Sequence, residues 1–63
     1  MKIREKRKQL KLSQRALADR IQLLGIDLSK NAIQQIESGE RFVTDIELKA
    51  FAAFFNVDAG ALL

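Results

Sequence analysis

Leu12-Ser13-Gln14-Arg15-Ala16-Leu17-Ala18-Asp19-Arg20-Ile21 runs on through Gly25 to Leu28-Ser29-Lys30-Asn31-Ala32-Ile33-Gln34-Gln35-Ile36-Glu37-Ser38-Gly39. These residues decide the fold. Ser13 and Ser29 each follow a leucine and precede a helical apolar pattern, so two capped helices stand close together in the chain. The second would bury Ile33 and Ile36 and turn a row of amide and hydroxyl side chains outward. Asn and Gln offer a donor and an acceptor on one flat group, which suits hydrogen bonding to base edges in a DNA groove.

The same start signal recurs along the chain. An apolar residue precedes Ser, Thr or Asp, and Leu or Ile follows four residues after the polar one. The instances are Leu12-Ser13 with Leu17, Leu28-Ser29 with Ile33, Val43-Thr44 with Leu48, and Val57-Asp58 with Leu62. Each reads as an N-cap with a hydrophobic staple around it, and Glu47 completes a capping box with Thr44. Adding the charged N-terminal segment, the spacing predicts five helices, over roughly 2–10, 14–24, 30–37, 45–55 and 59–63. Gly25, Gly39 and Asn56 are natural left-handed stops. No segment alternates with period two, so the expected class is all-α, a single compact five-helix domain over 1–63 with the paired helices at about 14–37.

Composition narrows the chemistry. The 63 residues include no Cys and no His, which removes disulfides, thiolate metal sites and imidazole acid–base catalysis. There are no paired carboxylates in an evident cleft, no nucleophile–base pair and no glycine-rich phosphate loop, so the chain does not read as an enzyme and calls for no cofactor. No apolar run suits a membrane span, no signal peptide is visible and no small-molecule site is evident; a cytoplasmic protein is the expectation. The net charge of +3 conceals an asymmetry. Lys2, Arg4, Lys6, Arg7, Lys8 and Lys11 face only Glu5 in the first eleven residues, whereas the remainder is mildly acidic. Such an edge is either a solvated face or one that meets a polyanion.

The expected core uses Leu17, Ile21 and Leu24 of the second helix, Ile33 and Ile36 of the third, and Leu48, Phe51, Ala52 and Phe55 of the fourth. The four Phe residues could form a stacking platform for single-stranded nucleic acid, but their helical spacing favours core, with Phe54 falling beside the stripe. On the third helix, at about 100° per residue, Asn31, Gln34, Gln35 and Ser38 point away from Ile33 and Ile36. Lys30 flanks the first turn, and Ala32 is small enough for close approach to a groove or a thymine methyl. These amides either solvate a surface or read bases. Lys and Glu are the commoner surface choice, and Ser13-Gln14-Arg15 sets another amide at a positive helix start, so reading is favoured. Glu37 borders the buried stripe near a negative helix end, where a carboxylate needs a partner; Arg7 is the candidate.

These residues carry a resemblance. Ile3-Arg4 through Arg7, Leu12-Ser13-Gln14 with Leu17-Ala18, Ile33 through Gly39, and Ala52 through Val57 with Leu62-Leu63 resemble the helix-turn-helix family of phage repressors and Cro-type regulators, the XRE family. Gly25 through Ser29, with Val43 through Leu48, is similar to a bacterial subgroup of such regulators. The resemblance implies a lambda-repressor-like fold and a transcriptional regulator that binds double-stranded DNA as a homodimer, with Val57 to Leu63 at the dimer edge. It implies base reading by Gln14, Lys30, Asn31, Ala32 and Gln35, phosphate contact by Ser13, Ser38 and Arg41, and an internal ion pair of Arg7 with Glu37. Arg15 and Ser29, at the two helix starts, are expected to meet phosphate as well. The chain departs from the family in two places. The link between the paired helices is several residues longer than the compact turn, and Lys11 replaces the usual glycine after the first helix. A protein-interaction module of the same fold, antitoxin-like or coactivator-like, is the alternative function.

Overall fold

The computed structural model describes residues 1–63. Four α-helices, α1 (Ile3–Gln9), α2 (Gln14–Leu23), α3 (Lys30–Ser38) and α4 (Asp45–Phe55), are followed by a 3-10 turn, Ala59–Leu62. The expected fifth helix is therefore only that turn. Its bonds, Ala61 N–H to Asp58 O at 2.9 Å and Leu63 N–H to Gly60 O at 3.3 Å, reach three residues back, and Asp58 makes no side-chain cap. A four-residue run with Gly60 inside it gains too few bonds to offset the nucleation cost of an α-helix. It still places Leu62 in the core, and Lys2 N–H donates to Leu62 O at 2.7 Å, closing the two chain ends together.

The other three starts follow their caps. Ser13 Oγ accepts from Ala16 N–H at 3.0 Å and Ser29 Oγ from Ala32 N–H at 3.2 Å. Thr44 and Glu47 form the reciprocal capping box, at 3.2 Å and 3.0 Å. Each satisfies an otherwise unpaired N–H, which contributes typically ~1 kcal/mol.

The helix ends share one device. Lys11, Gly25, Gly39 and Asn56 all have positive φ, at 57°, 87°, 83° and 57°. Each end is closed by a pair of backbone bonds; after α1 these run from Lys11 N–H to Lys8 O and from Leu12 N–H to Arg7 O, at 3.0 and 3.2 Å. Glycine takes this conformation freely, and a side chain with a Cβ pays about 1–2 kcal/mol. Lys11 bears that cost. Lys11→Gly is therefore expected to raise stability by about 0.5–1 kcal/mol, after the glycine's greater unfolded-state entropy is subtracted. Lys11→Ala, which removes the charge but keeps the Cβ, should not. Equal melting temperatures for the two variants would place the effect in the charge instead.

Eleven buried residues, drawn from all four helices, the 3-10 turn and the α2–α3 link, make one core. Leu17, Ile21, Ile33, Phe51 and Leu62 are fully buried, and Phe54 and Phe55 pack partly against this core, edge to face, with ring centroids 5.1 Å apart. Leu48 and Phe55, also expected in it, are half-buried at its edge, and two further residues expected there, Leu24 and Phe42, lie outside it. Leu24 is half-exposed, because α2 has already ended at Leu23 and the chain turns away through Gly25. Leu28, from the link, enters the core instead at 0% exposure. Phe42 lies on the α3–α4 loop, off any helical stripe, and is 97% exposed.

The longer link, residues 24–29, is held at both ends. Ile26 N–H donates to Ile21 O at 3.4 Å, and Gln22 Nε2 donates to Leu28 O at 3.0 Å. With the Leu28 side chain buried, the six residues return α3 to the face of α2.

Candidate nucleic-acid interface

α3 buries Ala32, Ile33 and Ile36 and exposes Lys30, Asn31, Gln34, Gln35 and Ser38. The short apolar side pins the helix to the core, so the amide row is presented on a fixed surface. Ala32, expected to touch a base, is 6% exposed and belongs to the core cluster, so little of its methyl is left to offer one. Small residues on a helix flank are covered by neighbouring helices that a longer side chain would have kept away.

The hydroxyl groups divide by what they have left to give. Ser13 and Ser29 accept backbone N–H bonds as caps, so each hydroxyl hydrogen stays free to donate outward. Ser38 Oγ donates to Gln35 O at 3.1 Å, spending its hydrogen on the helix end. Arg15 is exposed and makes no side-chain bond within the protein. Arg41 donates to Glu47 Oε2 at 3.2 Å beside the start of α4 and remains 41% exposed. Such an exposed pair is worth little and can open to another anion.

Behind α3 lies a tighter arrangement. Arg7 Nε donates to Glu37 Oε2 at 2.8 Å, Arg7 Nη2 to Glu37 Oε1 at 3.1 Å, and Arg7 Nη1 to Leu12 O at 2.7 Å. The fork thus ties α1 to the residue before the Ser13 cap and to the last turn of α3. The side chains are 11% and 4% exposed. Gln14 Nε2 donates to Glu37 Oε1 as well, at 3.2 Å. A contact between the first residue of α2 and the last turn of α3 means that the longer link leaves those helix ends together.

Burial by itself raises the pKa of Glu37. The bonds from Arg7 and Gln14, with the charges of Arg7 and Arg4, outweigh it and hold the carboxyl below the ordinary glutamate value. A depressed folded-state pKa contributes stability that is complete above the unfolded-state pKa and is lost as pH falls through the folded one. The stability gap between wild type and Glu37→Gln is thus expected to be level near neutrality and to narrow below about pH 4.3, the ordinary glutamate pKa. Urea unfolding of both proteins from neutral pH into acid measures it. A gap that widens on acidification would reverse the sign.

Arg4, Arg7, Gln14, Gln34, Glu37 and Ser38 line a wholly polar cleft between α1, α2 and α3. Of the expected readers it contains Gln14 alone; Lys30, Asn31 and Gln35 lie on the exposed α3 surface outside it. Arg4 was not among the expected site residues. Its spacing of three from Arg7 on one helix was the available signal. No group of three acidic, His or Cys side chains is placed to hold a metal ion, and no helix is long and apolar enough to cross a membrane.

A family model described as helix-turn-helix matches residues 3–62. Neither the curated proteins nor the solved structures give a match.

Proposed function

The chain belongs to the helix-turn-helix family of the XRE and Cro type, and from this membership we propose that it is a sequence-specific DNA-binding regulator of transcription. α3 enters the major groove and α2 lies across the backbone. The observation that carries this reading is the row of Asn31, Gln34 and Gln35, exposed on the side of α3 opposite Ile33 and Ile36. Lys30, Asn31 and Gln35, with Gln14 from α2, read base edges. Ser13, Ser29, Arg15 and Arg41 meet phosphates, the serines through their free hydroxyl hydrogens. Ser38 joins them only if its hydroxyl leaves Gln35 O. One recognition helix covers few base pairs, so the working unit is a two-fold homodimer on a palindromic site.

Selection of bound sites from a random DNA pool tests this, and two variants separate its parts. Gln35→Ala is expected to cost ~1–3 kcal/mol on the selected site and almost nothing on scrambled DNA. Arg41→Ala should weaken both alike and make the salt slope shallower by about one unit. An equal loss of Gln35→Ala on both DNAs would remove it as a specificity residue. No enrichment of any sequence, with only weak salt-sensitive binding, would favour the protein-interaction module instead.

A further inference from the structure

Gln14 carries the most informative unspent hydrogen-bonding capacity in the molecule. Its amide donates to Glu37 Oε1, an oxygen that already accepts from Arg7 Nη2. The amide cannot be turned over in place, because its carbonyl oxygen would then face a carboxylate oxygen. Gln14 Oε1 takes no partner within the protein, and no buried side-chain polar atom lacks one, so this oxygen lies at the surface. Gln14 lines the polar cleft together with Gln34 of α3.

An amide fixed in this way has a defined outward edge, made of the carbonyl oxygen and the remaining N–H. That edge matches adenine in the major groove, where N6 donates and N7 accepts. It mismatches guanine, whose O6 and N7 both accept, and the outward carbonyl would confront one of them. A phosphate, which offers only acceptor oxygens, can take the remaining N–H but leaves the carbonyl without a partner, so adenine alone uses both groups of this edge.

We propose that Glu37 is a positioning residue for base reading: by holding the Gln14 amide in one orientation it makes Gln14 a reader of adenine over guanine. Arg7 is part of the device, since it occupies the rest of the carboxylate and keeps Glu37 charged and in place. This rests on the DNA-reading function proposed above. Glu37 thereby acquires a role that its ion pair with Arg7 does not require.

The test is site selection from a random DNA pool with wild type, Gln14→Ala and Glu37→Gln, the fold of each variant checked by circular dichroism at the selection temperature. Wild type is expected to prefer adenine at one position that Gln14→Ala releases. Glu37→Gln should release that same position, its adenine-over-guanine preference falling on the order of tenfold, while the position read by Gln35 keeps its preference. A lost ion pair alone would weaken all positions together. Full retention of the adenine preference in Glu37→Gln, or a Gln14→Ala variant that releases no position, overturns the proposal. Should Glu37→Gln not fold, the side-chain amide protons of wild-type Gln14 decide by NMR. The proton bonded to Glu37 should exchange slowly with solvent, as the bonded one of Gln22 should, and unlike either proton of the exposed Gln35. A Gln14 amide indistinguishable from that of Gln35 also overturns it. Failure of wild type to select any sequence removes the DNA-reading function and this inference together, whereas a wild-type motif insensitive to Gln14 removes the inference alone.

Discussion

Arg7→Met is expected to cost about 3–5 kcal/mol of folding stability, which in a chain of 63 residues is most of the margin. The guanidinium makes three bonds, two to Glu37 and one to the carbonyl of Leu12. Its loss leaves a carboxylate with a 4% exposed side chain and only Gln14 as donor, and leaves Leu12 O without its side-chain partner. The larger part of the cost is that stranded charge rather than the worth of the pair itself. Arg7→Met combined with Glu37→Gln should therefore be more stable than the sum of the single losses allows, with a coupling of up to about 3 kcal/mol. Urea unfolding of the four proteins at neutral pH gives the cycle. Additive single effects would mean that the two groups do not share their stabilisation.

Leu28→Ala is the second large effect, at about 2–5 kcal/mol. Leu28 is fully buried although it lies on the link. The bond from Gln22 Nε2 goes to its backbone oxygen and survives the substitution, so the loss is packing and cavity rather than hydrogen bonding. Leu23, on α2 itself but 82% exposed, provides the contrast: Leu23→Ala should change stability by no more than about 0.5 kcal/mol. If Leu28→Ala proves as mild as Leu23→Ala, the link does not hold α3 through the core.

Those two leucines mark where the sequence stops being legible. Caps are local chemistry, so Ser13, Ser29 and Thr44 announced their helices, and α4 runs over the expected residues 45–55. Helical periodicity chooses among positions on one helix, and it assigned Leu24 to the core. It has no rule for a link residue such as Leu28, whose burial depends on how two helices return to each other. Ala32 shows the same limit within a helix, because it flanks the stripe on one side as Glu37 does on the other. The methyl was covered and the carboxylate was bonded, and only the packing of the neighbouring helices distinguishes them. The contact of Gln14 with Glu37 spans 23 positions and two helix ends, so no local pattern could have signalled it. The outward side of α3 was readable because the positions of Ile33 and Ile36 fix everything opposite them.

The left-handed corner at Lys11 has a consequence for how such a domain can diverge. At the other three corners the residue is Gly or Asn, types for which that conformation is cheap. At this one the chain keeps a cation at a conformational cost, within its most basic stretch. Natural variation at position 11 is then pulled two ways. Glycine and asparagine favour a longer-lived fold, while lysine and arginine favour adhesion to a polyanion. A saturation library at this single position, sorted once for heat tolerance and once for retention on DNA, should return two nearly opposite rankings.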